Sequence, residues 1–354
     1  MNELTTHQRL EMIYKHQEPD RVPIIDVPWG TTIQRWQREG MPEGADFIDY
    51  LGLDKICKFD VDNSPRFPVK VLSGDEKFII RTNEWGATIK EQRDATSSIE
   101  FLDYSVTDRA LWEAAKARMD ASDDRIPWQR LKENYKKWKD EAYWIRGRMN
   151  FGFQQTSLTM GLTECLIAML EEPELIIDQM NTQLDIAIAL LDKAWDAGYT
   201  FDELSWDDDL GYKNAQFFSV EMYRELVKPI HKRAIDWAHA HGAVTHMHTC
   251  GDVRPFMPEF IDIGLDAVNA LEVKAGMDPV MLKNKYGKDI VLRGGFDPQF
   301  WTNHEYTAKN IEEVLPIMKQ SGGYIFSSDH SIPDTVSLAD YQFVLENVRK
   351  LGTY

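Results

Sequence analysis

Short β-branched or aromatic runs alternate with amphipathic stretches along nearly the whole of this 354-residue chain, and that alternation limits its fold more than any other feature. Eight runs read as strands: Arg21–Val27, Lys55–Val61, Tyr143–Arg148, Phe201–Trp206, Ala243–His248, Ala267–Glu272, Ile290–Gly295 and Gly323–Ser327. After the fourth, Met222, Leu226, Ile230, Ala234 and Trp237 recur at helical spacing. Ser219 stands where an N-cap belongs and Gly242 just past the last turn. Similar spacing predicts helices over Glu164–Ala197, Val253–Ile263, Pro279–Tyr286, His304–Ser321 and Leu338–Leu351. Strand–helix repetition builds parallel sheets, so the choice lies between an open doubly wound sheet and a closed barrel. A doubly wound nucleotide fold carries G-x-G-x-x-G after its first strand, and this chain has no such run. Eight strands is the number of the (β/α)8 TIM barrel. We therefore expect an α/β fold of that kind, with residues 1–354 as a single domain. Residues 70–92 interrupt the alternation, because Val69–Leu72, Lys77–Thr82 and Ala87–Glu91 read as β-hairpins inserted near an early strand. The polar, Trp-bearing stretch 103–141 reads as helices flanking the barrel.

Charge narrows the partners. With 40 basic against 58 acidic side chains the net charge is −18, which argues against nucleic acid, whose binding scales with phosphates neutralised by Lys and Arg. It argues equally against an anionic membrane surface, and no apolar run approaches the ~20 residues that span a bilayer. The start, MNELTTHQRLEMIYKHQEPDR, is too polar and acidic for a signal peptide. Three cysteines, at 57, 165 and 250, cannot build a disulfide framework, so a reducing, cytoplasmic location is expected. A small molecule is the expected substrate; a homodimer, common among soluble enzymes, is open.

In a barrel the chemistry gathers at the C-terminal ends of the strands. Here those ends carry Trp206-Asp207-Asp208-Asp209, His246 to Gly251, Glu272, Gly294 to Asp297, and Ser328-Asp329-His330. Strand period 2 puts His246, His248 and Cys250 on one face, leaving Thr245, Met247 and Thr249 to the other. Imidazole and thiolate are zinc ligands. His248 and Cys250 supply two, His330 is the natural third, and Glu272, Asp329 or a substrate atom could complete the set. The bland reading makes one of these histidines, His246 first, a core residue bonded to a neighbouring strand, and Cys250 a small buried hydrophobe. The Asp207–Asp209 cluster could hold a cation, accept hydrogen bonds from substrate, or serve as a base if mutual repulsion raises one pKa; it could also merely cap the next segment. Asp207 and Asp208, with Glu272 and His330, are the candidate catalytic groups. Arg146 and Arg148 alternate along the third strand, where they reach a substrate carboxylate or close a salt bridge within the barrel. Arg146, His246, Trp206 and Asp60 are the candidate substrate contacts. Cys57 and Cys165 lie in apolar runs and read as core.

Five segments in order resemble the uroporphyrinogen decarboxylase superfamily: RLEMIYKHQEPDRVP at 9–23, HMHTCGDV at 246–253, GLDAVNALEVKAGMD at 264–278, GGFD at 294–297 and GGYIFSSDHSIPDTV at 322–336. The resemblance spans nearly the whole chain and implies a (β/α)8 barrel. It also implies one of two chemistries. The haem-pathway decarboxylase removes acetate carboxyls from uroporphyrinogen III without metal or cofactor. Its mark is an N-terminal Arg-Gln-Ala-Gly-Arg stretch, where this chain has VPWGTTIQRWQREG with Arg35 and Arg38. Its active-site Tyr segment corresponds here to Asn150–Ser157, which has no Tyr; its late His is matched by His330. A net charge of −18 also suits a polycarboxylate substrate poorly.

The other branch holds cobamide-dependent methyltransferases, whose thiol-alkylating members bind zinc through His-x-Cys and a later Cys. His248-x-Cys250 matches the pair, and His330 stands in place of the later Cys. The resemblance thus implies a zinc-dependent methyltransferase, moving a methyl group between a methyl ether or thiol and the cobalt of a corrinoid protein. The chain has no Asp-x-His-x-x-Gly run, so the corrinoid (cobalamin) would arrive on a partner protein. The alternatives are a uroporphyrinogen III decarboxylase-type carboxy-lyase and a non-catalytic, small-molecule-binding member. A rim crowded with His, Cys, Asp and Glu is of little use to the latter.

Overall fold

The structure, a computed structural model, describes residues 3–93 and 99–354. Its strands are, in chain order, β1 (Ile56–Asp60), β2 (Val71–Gly74), β3 (Phe78–Thr82), β4 (Ala87–Gln92), β5 (Ile99–Tyr104), β6 (Trp144–Arg148), β7 (Glu203–Asp207), β8 (Gly211–Tyr212), β9 (Ala215–Gln216), β10 (Val244–His248), β11 (Ala267–Asn269), β12 (Val291–Arg293) and β13 (Tyr324–Ile325). Seven of them form one sheet in the order β1-β6-β7-β10-β11-β12-β13, and every pair in it is parallel.

The first predicted run closes the barrel. Phe326 N donates to Pro23 O (2.9 Å) and Ile25 N to Phe326 O (3.0 Å), while on the other side Asp54 N donates to Ile24 O (3.1 Å), just ahead of β1. This eighth position has no regular ladder because Pro23 lacks an N–H and Ile24 N is taken by the Asp54 carboxylate at 2.7 Å. That carboxylate is buried and paired with Arg9 and Arg21.

The helix Thr6–Tyr14 plugs the N-terminal end of the barrel. Leu10 and Ile13 are 0% exposed and pack with Ile25, Trp144, Ala267, Val291 and Ile325, which stand at or near the strand starts. Burying each such side chain stabilises the fold by ~1.5–3 kcal/mol. With that end sealed, the other is left for chemistry.

The inserted sheet is larger than the sequence predicts. β2 to β5 form a four-stranded antiparallel sheet, and β5 pairs with β4 as far as Ala87 opposite Tyr104. The insertion therefore extends past residue 92, and 103–104 belong to it, not to the flanking helices. Those helices are Arg109–Lys116 and Trp128–Asp140. The predicted helix 164–197 is two, Leu162–Glu171 and Pro173–Asp196. Proline keeps the residue before it out of the helical region, and Glu172 has φ −144° and ψ 57°. Ser219 caps its helix as expected, accepting from Met222 N at 3.2 Å. Among the described residues no helix is long and apolar enough to cross a membrane.

Candidate functional site at the barrel mouth

β10 delivers its residues as strand alternation requires. Thr245 Oγ1 donates to Asp266 (2.7 Å) and Leu210 N donates to Thr249 Oγ1 (3.2 Å), fixing those side chains away from the mouth. His248 then faces a cavity of about 250 Å³ with Asp207, Asn269, Arg293, Ser328 and His330. His248 Nε2 stands 3.3 Å from Cys250 Sγ. Ligand atoms of His248, Cys250 and His330 all lie within 4.8 Å of one another.

The donor set fits zinc. Ligands at ~2.0–2.3 Å from one tetrahedral ion stand roughly 3.3–3.8 Å apart; His248 Nε2 and Cys250 Sγ stand at the near end of that range, and the three ligand atoms lie within 4.8 Å of one another. Two imidazoles and a thiol are also the borderline-soft donors zinc takes. Burial, with the Asp209 and Glu272 carboxylates nearby, pushes the Cys250 thiol above its ordinary value. Burial and the neighbouring His248 likewise push His330 down. Zinc bound here would displace the thiol's proton and take the imidazoles in their neutral form.

Neighbouring strands hold the ligands in place. Asn269, opposite His248 in the sheet register, has its amide nitrogen 3.0 Å from His248 Nδ1. Its Oδ1 has no partner among the described residues. Turning the amide over brings Oδ1 to an Nδ1–H, the tautomer that leaves Nε2 free to ligate. Asp209 Oδ1 accepts from Cys250 N (2.8 Å), and its other oxygen accepts from Gln154 Nε2 (2.7 Å). Glu272 Oε2 accepts from Gly251 N at 2.7 Å. Gly251 has φ +82°, and a Cβ there would fall 2.3 Å from Gly211 C, so only glycine permits the turn that follows Cys250. Asp329, beside His330, is buried; burial and Asp297 push its carboxyl up to about 7.

The remaining predicted residues separate into two groups. Asp207 is at the mouth, where it accepts from Arg148 Nη2 at 2.5 Å. Burial opposes its charge, yet Arg148 and His248 hold its carboxyl below the ordinary range. Arg146 and His246 also face inward, in a deeper lobe of about 130 Å³ that shares Asp207, His248 and Asn269 with the cavity above it. There Glu203 Oε1 lies 2.7 Å from Arg146 Nε and 3.0 Å from His246 Nδ1, and burial pushes His246 down to about 4. Asp60 is at the rim, 3.6 Å from Arg148 Nε.

Asp208 is turned away from the mouth, and Trp206 borders the deeper lobe while its ring points outward. Asp208 is fully buried; its oxygens accept from Gln154 N (2.5 Å), Phe153 N (3.3 Å) and His231 Nε2 (2.7 Å). It caps the helix Gly152–Met160, and a Cβ on Gly152 would meet it at 2.4 Å. The Trp206 ring packs on Phe151 and His231. Strand alternation could have found this, because it puts Asp207 and Asp209 on one face and Trp206 and Asp208 on the other. Asn269, Arg293 and Lys58 were not singled out. A charge inside the apolar runs VLRGG and ICKFD was the available signal for the last two; Asn269 needs the sheet register.

No curated protein sequence matches the chain. Among solved structures, a methyltransferase from Methanosarcina mazei is similar, with a TM-score of 0.68 and 16% identity over 98% of this chain and 99% of that one. That likeness shows a shared fold. A psychrophilic glycoside hydrolase family 10 endo-β-1,4-xylanase reaches a TM-score of 0.36 at 10% identity, over 63% of this chain and 83% of that one, and carries no argument. The family described as uroporphyrinogen decarboxylase (URO-D) matches residues 154–351, a span that includes His248, Cys250 and His330. Since that match takes in more than half of the 354 residues, the protein belongs to the uroporphyrinogen decarboxylase family.

Proposed function

We propose that the protein is a zinc-dependent methyltransferase that moves a methyl group between a small methyl ether or thiol and the cobalt of a corrinoid carried by a partner protein. The observation that carries this reading is the convergence of His248, Cys250 and His330 at an open barrel mouth. Zinc held by these three would supply Lewis acidity to a thiol or an ether oxygen. The chain's own groups do the rest. Asn269 orients His248, while Asp209 and Glu272 fix the backbone on either side of the Cys250 amide bond. Asp207, kept ionised beside Arg148, accepts a hydrogen bond from the reacting group at the rim. The open mouth admits the partner's corrinoid.

Two observations weigh against uroporphyrinogen III as substrate. Arg35 is engaged elsewhere, donating to Asp334 O (2.7 Å) and Thr335 O (2.8 Å) and pairing with Glu39. The cavity of about 250 Å³ and the deeper lobe of about 130 Å³ together reach only the low end of the ~300–1,000 Å³ that encloses drug-sized ligands, and a tetrapyrrole is larger. The test is visible spectroscopy of methylcobalamin with the full-length protein and a panel of thiols, and of Co(I) cobalamin with methyl ethers. The proposal expects methyl transfer that Cys250→Ala abolishes; turnover retained in that variant ends it.

A further inference from the structure

The deeper lobe carries more positive charge than its carboxylates neutralise. Lys58, Arg146, Arg148 and Arg293 line it, against Glu203 on Arg146 and Asp207 on Arg148. That leaves two positive charges (4 − 2), or one if Asp60 at the rim is counted, with the buried Asp26 also acting on Arg293 while burial pushes its own carboxyl up. For a chain of net charge −18, this concentration is local and specific. Arg293 is the least neutralised. It is 4% exposed, its hydrogen bond is from Nη2 to Ile25 O at 3.3 Å, and no carboxylate pairs with it among the described residues. Burial and Arg146 nearby push its guanidinium down to about 10.

A second observation concerns hydrogen bonds. Arg148 Nε, Ser205 Oγ, His246 Nε2 and Arg293 Nε are buried without a hydrogen-bond partner, and all four residues line this lobe. They come from β6, β7, β10 and β12, neighbouring strands of the barrel wall. Buried polar atoms are satisfied in the great majority of cases, so four open ones on residues around one chamber mark the place of a polar ligand.

We propose that this lobe binds the carboxylate of the substrate, making the substrate a small carboxylic acid whose far end reaches His248, Cys250 and His330. Four cationic side chains around one lobe suit a small anion, and a guanidinium fork matches the planar carboxylate. The inference rests on the methyl-transfer reading only for what happens at the far end; the acid-binding lobe stands independently of it.

Isothermal calorimetry on the full-length protein tests it, with methoxyacetate and its neutral counterpart methoxyacetamide as probes. A hydrogen bond to a charged group is worth roughly 10- to 100-fold in affinity, so methoxyacetate binds at least about tenfold tighter than the amide. Arg293→Gln removes that preference, with a melting curve confirming that the variant is folded. Cys250→Ala keeps it, so loss of methyl transfer and loss of acid binding are read separately. Equal binding of acid and amide by the wild type, no binding of either, or tighter binding of inorganic phosphate than of methoxyacetate overturns the proposal. The wild-type comparison decides even if Arg293→Gln does not fold.

Discussion

Asp208→Ala destabilises the protein while leaving metal binding intact in the molecules that fold. The Asp208 carboxylate ends a chain in which Tyr223 O–H donates to His231 Nδ1 (3.0 Å) and His231 Nε2–H donates to Asp208 (2.7 Å). It also accepts from Phe153 N and Gln154 N. Alanine leaves three buried donors without a partner, each costing ~1–3 kcal/mol. Water entering the vacated space recovers part of that, and breaking a buried pair costs ~3–5 kcal/mol in all. At roughly 2 °C per kcal/mol for a large chain, Tm falls by roughly 6–10 °C. Asp208→Asn, which can still accept one of the N–H bonds, falls by less. Differential scanning calorimetry reads the stability, and zinc per folded chain reads the site. A variant that melts like wild type but has lost turnover would refute the reasoning and return Asp208 to the catalytic groups.

Two further outcomes follow from side-chain environments. Asn269→Leu removes the group that orients His248, and zinc affinity in chelator competition drops about 10- to 100-fold; unchanged affinity contradicts that role. Lys283, donating to Gly322 O at 2.6 Å, is pushed by burial from 10.5 down to about 8. The unfolded chain therefore binds the extra proton between these values, and stability owed to the neutral amine is complete above pH ~10.5 and lost as pH falls through ~8. Lys283→Met has no such dependence, so its urea midpoint gains on wild type as pH falls across that window. The gain is ~1–2 kcal/mol after solvent screening is allowed for; parallel profiles contradict it.

Much of the architecture was legible because the alternation of strands and helices follows from periodicity, which is local. Six of the eight predicted runs, at residues 55–61, 143–148, 243–248, 267–272, 290–295 and 323–327, contain the observed strands whole, and the 21–27 run closes the barrel. The break at Pro173 was readable too, since proline's geometry is in the sequence. β5 was missed because its face is recognised by pairing with β4, a contact across chain that local patterning does not report. The site divides in the same way. His248 and Cys250 share a face by spacing alone, and His330 reaches them because β10 and β13 end at one rim. Asp208 was misplaced although alternation already opposed it to Asp207 and Asp209. Asn269 and the open donors around Arg293 depend on register and burial, which only the folded chain displays.

The central claim is that His248, Cys250 and His330 form one metal site. Elemental mass spectrometry of protein purified without chelator, beside Cys250→Ala and His330→Ala, addresses it most directly. The account predicts about one zinc per chain in the wild type and loss in both variants. Wild-type protein free of zinc, or zinc retained in both variants, contradicts it.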